Sequence, residues 1–267
     1  MHEAPIIKLG GFNIDISIVT MLIVTCVVVF ILARLAVRNL SVENPGKLQN
    51  FMEWAVEFVQ GMISSTMDMK KGKAFVSLGM TLMMFILVGN LLGLPFGIVT
   101  EHSEPGAKVF GQAIVTVDAE HFETLHAKKP NEEHPHIGLA WWKSPTADAS
   151  VTMGLALMIF CIVHFLGMTR NTKAYFKSYI EPFPVFFPIK FIEVFSNLLT
   201  HGMRLYGNIF AGEVLISVLL GAGVFGIPGL IIWQGFSIFV GCIQAFVFTM
   251  LTMVYISHSI EDHSAEH

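Results

Sequence analysis

Two charged residues deep inside an apolar run, Arg204 and Glu213, carry the most chemical information in this chain. Between Phe191 and Val224 the only Asp, Glu, Lys or Arg are Glu193, near the start, Arg204 and Glu213. A charge at the middle of a membrane helix costs roughly 2.5–3.5 kcal/mol on insertion scales. Arginine cannot escape that cost by losing its proton. A carboxylate, water or a partner subunit must therefore face Arg204. An internal ion pair with Glu213 is the simplest answer, but helix geometry opposes it. Nine residues at ~100° each put Glu213 about 180° around the helix and ~13 Å further along.

The same arithmetic finds a stripe. Relative to Arg204, Glu193 and Asn197 lie about 20° away, and Thr200 and Asn208 about 40°. Glu213 opens a separate polar position on the other face, in the outer half. In the next apolar run Gln244 and Tyr255 stand eleven residues apart, about 20° from one stripe. Gln244 lies near the centre of that run, at a depth where it can meet Arg204. Gln234, about 80° off the stripe, reads as helix glue. The pattern suggests two polar half-paths, displaced from each other, with a fixed cation between them. A continuous polar path would leak protons. Offset half-paths conduct only if something carries the ion across, and the cation repels an ion taking the short cut. A mobile carboxylate would be held ionised beside Arg204 and neutral when desolvated. This chain has no spare carboxylate at that depth, so the carrier belongs to another subunit.

The elements that position these residues are membrane helices. Of 267 residues, 54% are hydrophobic and 13% charged, about half the ~25% charge of soluble domains. Mean hydropathy is +0.65. A net charge of −4 leaves no basic footprint for nucleic acid. The cysteines, Cys26, Cys161 and Cys242, sit in apolar runs and read as small hydrophobes. A spanning helix needs roughly 20 apolar residues. The fold class is an all-α integral membrane protein, one membrane domain over 1–267, with spans at 16–37, 74–98, 149–169, 190–224 and 229–260. The fifth run, Gly229–Ile260, has no Asp, Glu, Lys or Arg over 32 residues. At ~1.5 Å per residue that is on the order of 48 Å, long enough to require tilt or protrusion.

Loop charges orient the chain. Residues 34–73 carry six basic residues and 170–190 carry four, which places both on the cytoplasmic side. The loop 101–148 has four lysines against eight acids and suits the outside. The N-terminus is then outside and the C-terminus cytoplasmic. The first run, ending in Arg34 and Arg38, reads as a retained span rather than a cleaved signal. Residues 44–67 form an amphipathic interfacial helix, with Leu48, Phe51, Trp54, Ala55, Phe58, Met62 and Ile63 on its apolar side. The outer loop's His102, His121, His126, His134 and His136 lack zinc-like spacing and read as solvated. Trp141-Trp142 reads as an interfacial anchor.

The run Ser196-Asn197-Leu198-Leu199-Thr200-His201-Gly202-Met203-Arg204-Leu205-Tyr206-Gly207-Asn208-Ile209-Phe210-Ala211-Gly212-Glu213 resembles the signature of subunit a of bacterial F-type ATP synthase. Asn90-Leu91-Leu92-Gly93-Leu94-Pro95, Ser144-Pro145-Thr146-Ala147-Asp148 and Gln244-Ala245-Phe246 match in the same order. The likeness covers nearly the whole chain and is Bacillus-like in tone. It implies that Arg204 faces a rotating ring of c subunits and meets the ring carboxylate, with the last two spans long and tilted against that ring. Asn208, Glu213 and Gln244 match family positions tied to the ion path, with Glu213 in the outer half-channel and Asp148 and His164 at its mouth and lining. Glu193, Asn197 and Tyr255 are geometric candidates for the cytoplasmic exit. His201 stands in a ring-facing neighbourhood where an apolar residue is expected.

The resemblance further implies a proton-translocating stator subunit in a bacterial cell membrane. Its partners would be the c-ring, a b-subunit peripheral stalk, lipid and, indirectly, the F1 sector. No cofactor is expected. No Gly-x-x-x-x-Gly-Lys-[Ser/Thr] run occurs, so ATP chemistry belongs to partners and the chain is not an enzyme alone. A secondary transporter would show an inverted repeat, and none is found. A metalloenzyme built on His164, His201 and His258 would need three separate helices to bring them to one depth.

Overall fold

Asp15 starts the first helix. Its Oδ1 accepts from the Ser17 N–H at 2.9 Å and from Ser17 Oγ at 2.6 Å, capping α1 (Ile16–Ala36). Before it, β1 (Ile6–Leu9) and β2 (Phe12–Asp15) pair antiparallel around Gly11. The computed structural model describes residues 4–9, 11–94, 98–102, 108–109, 112–115, 137–170, 172 and 187–260.

Local chemistry sets each later boundary. Pro45 disfavours helix at the residue before it, so α2 runs Lys47–Thr66 rather than from 44. The second span is jointed. It begins earlier than the expected 74, with α3 (Met69–Gly72) capped by Asp68, passes a 3-10 turn at Lys73–Phe75, and continues as α4 (Val76–Leu92). After α5 (Ala149–Arg170) come α6 (Phe187–Gly221) and α7 (Ile227–Ile260). Between the last two, Gly223 at φ 62° takes the left-handed conformation that stops α6. Among the described residues, five helices are long and apolar enough to cross a membrane: Ile16–Ala36, Met69–Leu92, Ala149–Thr169, Phe187–Gly221 and Gly223–Ile260. The chain is an all-α, multi-pass membrane protein.

The only sheets among the described residues are two-stranded ribbons: β1–β2, β3 (Val99–His102) with β6 (Ile137–Ala140), and β4 (Lys108–Val109) with β5 (Gln112–Ala113). His121, His126, His134 and His136 lie outside the described residues, as do Lys173 and Lys177. No metal-sized cluster of His, Cys, Asp or Glu occurs among the described residues.

Two buried clusters join the helices. Val59, Met62 and Ile63 of α2 pack with Met83 of α4 and Met253, Ile256 and Ile260 of α7. Deeper in, Leu82 and Ile86 meet Ile159, Leu205, Ala245 and Phe248. The apolar side of α2 divides. Ala55, Met62 and Ile63 turn inward, whereas Phe51, Trp54 and Phe58 stay outside as an aromatic row continued by Phe246. That row suits the interfacial placement expected for this helix.

Candidate functional site

α6 is the least covered of the five spans. Only 6% of its apolar window is buried, against 50% for Met69–Leu92. Glu193, Asn197, Thr200, Arg204 and Asn208 are all exposed, so the polar stripe expected from helix periodicity faces outward among exposed Phe191, Phe195, Leu199 and Met203. The Arg204 guanidinium has no hydrogen bond or ion pair among the described residues. In particular, no ion pair joins it to Glu213. Near the start of α6 Glu193 pairs with Lys190 at 3.2 Å, both exposed.

His201 departs from the ring-facing expectation. Three residues before Arg204 means about 60° around the helix, which turns the imidazole into the seam with α7. It is 4% exposed. Its Nε2 lies 3.3 Å from Thr252 Oγ1, and its ring packs 3.9 Å from Phe248 and edge-on to Tyr255. The Arg204 charge still reaches both His201 and Tyr255.

One turn beyond Arg204, Asn208 Nδ2 donates to Gln244 Oε1 at 2.7 Å. Gln244 is buried, and its Nε2 has no partner. The two stripes of the last two spans therefore meet directly. Gln234 donates to the Leu94 carbonyl at 3.0 Å, the gluing role expected of it.

Glu213 faces a different space. A cavity of about 220 Å³ is lined by Asn90, Ser144, Asn208, Glu213, Trp233 and Ser237, among others. Ser237 Oγ is buried there without a partner. The Glu213 carboxyl is within interaction range of the Lys143 ammonium and the Ser144 backbone N–H. Behind the cavity runs a buried network. Thr146 Oγ1 donates to Asn90 Oδ1 at 2.5 Å, Asn90 Nδ2 donates to the Gly241 carbonyl at 3.1 Å, and Ser144 Oγ bonds Thr146 Oγ1 and the Gly89 carbonyl. Trp142 Nε1 donates to the Leu92 carbonyl at 2.6 Å, closing the end of α4.

Asp148 precedes α5 and accepts from the Ser150 N–H at 2.7 Å. His164 lies about 24 Å further along α5, at ~1.5 Å per residue, with Nδ1 2.9 Å from the Phe160 carbonyl and its ring against Phe160. The structure thus brings Asn208 to Gln244 and puts Asn208 on the wall of the Glu213 cavity. It does not gather Asp148 and His164 at one level. Sequence reasoning assigned no chemical role to Asn90, Ser144, Thr146, Ser237 or Lys143. The available signal was the pair of motifs holding Asn90 and Ser144–Asp148, which mark a site without saying that the two touch.

The family model described as ATP synthase A chain matches residues 18–257. The chain is 44% identical to "ATP synthase subunit a" of Anoxybacillus flavithermus, over 98% of this chain and 99% of that one. It is 43% identical to the subunit of the same name from Priestia megaterium and 42% to that from Bacillus subtilis, each at 98% and 99% coverage.

Proposed function

The chain belongs to the ATP synthase A chain family, the subunit a component of the Fo sector, and from that premise we propose that it supplies two offset half-channels that carry protons to and from a ring of c subunits. The outer half-channel is the Glu213 cavity with Asn90, Ser144 and Asn208, and Asp148 stands toward its mouth. His164, half-buried and about 24 Å further along α5, is outside that cavity and stays an ion-path candidate at the far end of the same helix. The inner half-channel follows the exposed stripe Asn197 to Glu193, flanked by Tyr255. Arg204 separates them. The single observation that carries this reading is an exposed, unpaired Arg204 on the outward face of α6, with Glu213 turned to a cavity on the opposite side.

The mechanism follows from charge. A proton entering from outside reaches Glu213, passes by Asn208 and Gln244, and neutralises a ring carboxylate brought to that depth. The neutral group can enter lipid, where an ionised one would be strongly penalised. After most of a turn it returns to the inner stripe, loses its proton toward Asn197 and Glu193, and meets Arg204 as an anion. Arg204 attracts that anion and repels a proton moving directly between the half-channels. The membrane potential supplies ~2.3 kcal/mol per charge per 100 mV, so ring rotation is coupled to ion flow and, through the F1 sector, to ATP synthesis. A b-subunit stalk holds this chain against the ring's torque. Catalysis at the nucleotide belongs to those partners, and the whole of 1–267 acts as one membrane domain. The protein sits in the bacterial cell membrane with its N-terminus outside and its C-terminus in the cytoplasm.

ATP-driven proton pumping by inverted vesicles tests the reading. Arg204→Ala, in a complex that still assembles, should lose pumping while ATP hydrolysis continues. Undiminished coupled pumping in that variant would refute the separator role.

A further inference from the structure

Next to Ser144, on the wall of the Glu213 cavity, stands an ion pair that the half-channel reading does not use. Lys143 Nζ donates to Asp15 Oδ2 at 2.6 Å, with the two side chains only 21% and 14% exposed. The partners come from distant parts of the chain: Asp15 closes the β1–β2 hairpin, and Lys143 precedes Ser144, which lines the cavity. Asp15 uses its other oxygen to cap α1. The Lys143 charge is also felt by Glu213. One ammonium is therefore paired with the Asp15 carboxylate and next in sequence to Ser144 on the wall that Glu213 shares.

We propose that Asp15 is a positioning residue for proton entry, holding and compensating Lys143 so that this ammonium does not repel the incoming proton beside the cavity wall. The inference rests on Glu213 being the outer-path carboxyl. Without Asp15, Lys143 is an uncompensated cation beside the entry route, and its flexible stem is free to swing toward Glu213. At an effective dielectric constant near 20, a unit charge ~10 Å away changes the local proton occupancy on the order of tenfold. With Asp15 in place, the pair presents little net field. The hairpin and the cavity wall are thereby joined by charge as well as by chain.

Asp15→Asn separates the two roles of Asp15, because asparagine caps a helix as well as aspartate does. The test is passive proton flux through Fo in vesicles stripped of F1, driven by a potassium diffusion potential. Asp15→Asn should lower the initial rate about threefold to tenfold, in line with that charge effect. The double variant Asp15→Asn with Lys143→Gln should return to within about twofold of the wild type, because removing the cation removes the need for its counter-charge. A wild-type rate in Asp15→Asn overturns the proposal. So does a double variant as slow as the single one, since that marks a purely structural hairpin contact. If Asp15→Asn fails to assemble, assembly of the double variant supports the charge role and its failure overturns it. Glu213→Gln runs alongside. If it conducts like the wild type, the outer-path reading itself has failed. If it is blocked while Asp15→Asn is normal, only this inference falls.

Discussion

Thr146 and Asn90 are both buried, at 0% and 3% exposure, so neither can exchange its partner for bulk solvent at no cost. Thr146→Val removes the donor to Asn90 Oδ1 and leaves a buried acceptor, which costs about 1–3 kcal/mol. The purified complex should lose this subunit at a lower temperature than the wild type, and an unchanged retention profile would show that the bond contributes little. The sequence does not display this bond. Asn90 and Thr146 are 56 positions apart, and helical periodicity relates only residues on one helix. Ser237 is equally silent, as one hydroxyl in a run that tolerates it. Arg204 and Glu213 are legible because each is expensive where it stands. A charge in an apolar run demands a reason, and the ~180° between the two residues is fixed by helix geometry alone.

At the scale of elements, the long last helix follows directly from its unbroken apolar run, whereas the start of the second span does not. Met69-Lys70-Lys71-Gly72 looks like loop, and it is helical because Asp68 caps it, with Oδ1 accepting from the Lys70 N–H. The close of that span depends on a contact between distant segments. A Cβ on Gly93 would lie 2.6 Å from Ser144 Cβ and 2.7 Å from Ser144 N, so the turn carrying Ser144 and Thr146 seats against a residue with no side chain. Gly93→Ala should displace that turn and reduce the amount of assembled subunit in membranes, measured by immunoblot. Wild-type levels with normal pumping would mean the turn shifts at no cost. Gly207 is the opposite case, since a Cβ there would meet nothing within 4 Å. Gly207→Leu should therefore leave this chain folded and inserted yet impair coupled pumping, because on the proposed reading the space it fills is where the ring packs. Normal pumping would argue against tight contact there.

Across the whole molecule, the proposed half-channels require one sidedness, the one that the basic residues between spans predict. A cysteine introduced at Lys8 should react with an impermeant maleimide in right-side-out vesicles, and one at Ser264 only in inverted vesicles. The reverse pattern would exchange the two half-channels. The uncovered face of α6 and the covered seam of α7 divide the molecule into a side that awaits a partner and a side that holds itself together. Arg204 lies on the first and Glu213 opens into the second. The claim that Arg204 keeps the two paths apart is tested most directly by passive proton leak through Fo with the ring covalently tethered to this chain so that it cannot turn. The account predicts that the tethered wild type is tight and that tethered Arg204→Ala leaks. A tethered Arg204→Ala complex as tight as the wild type would contradict it.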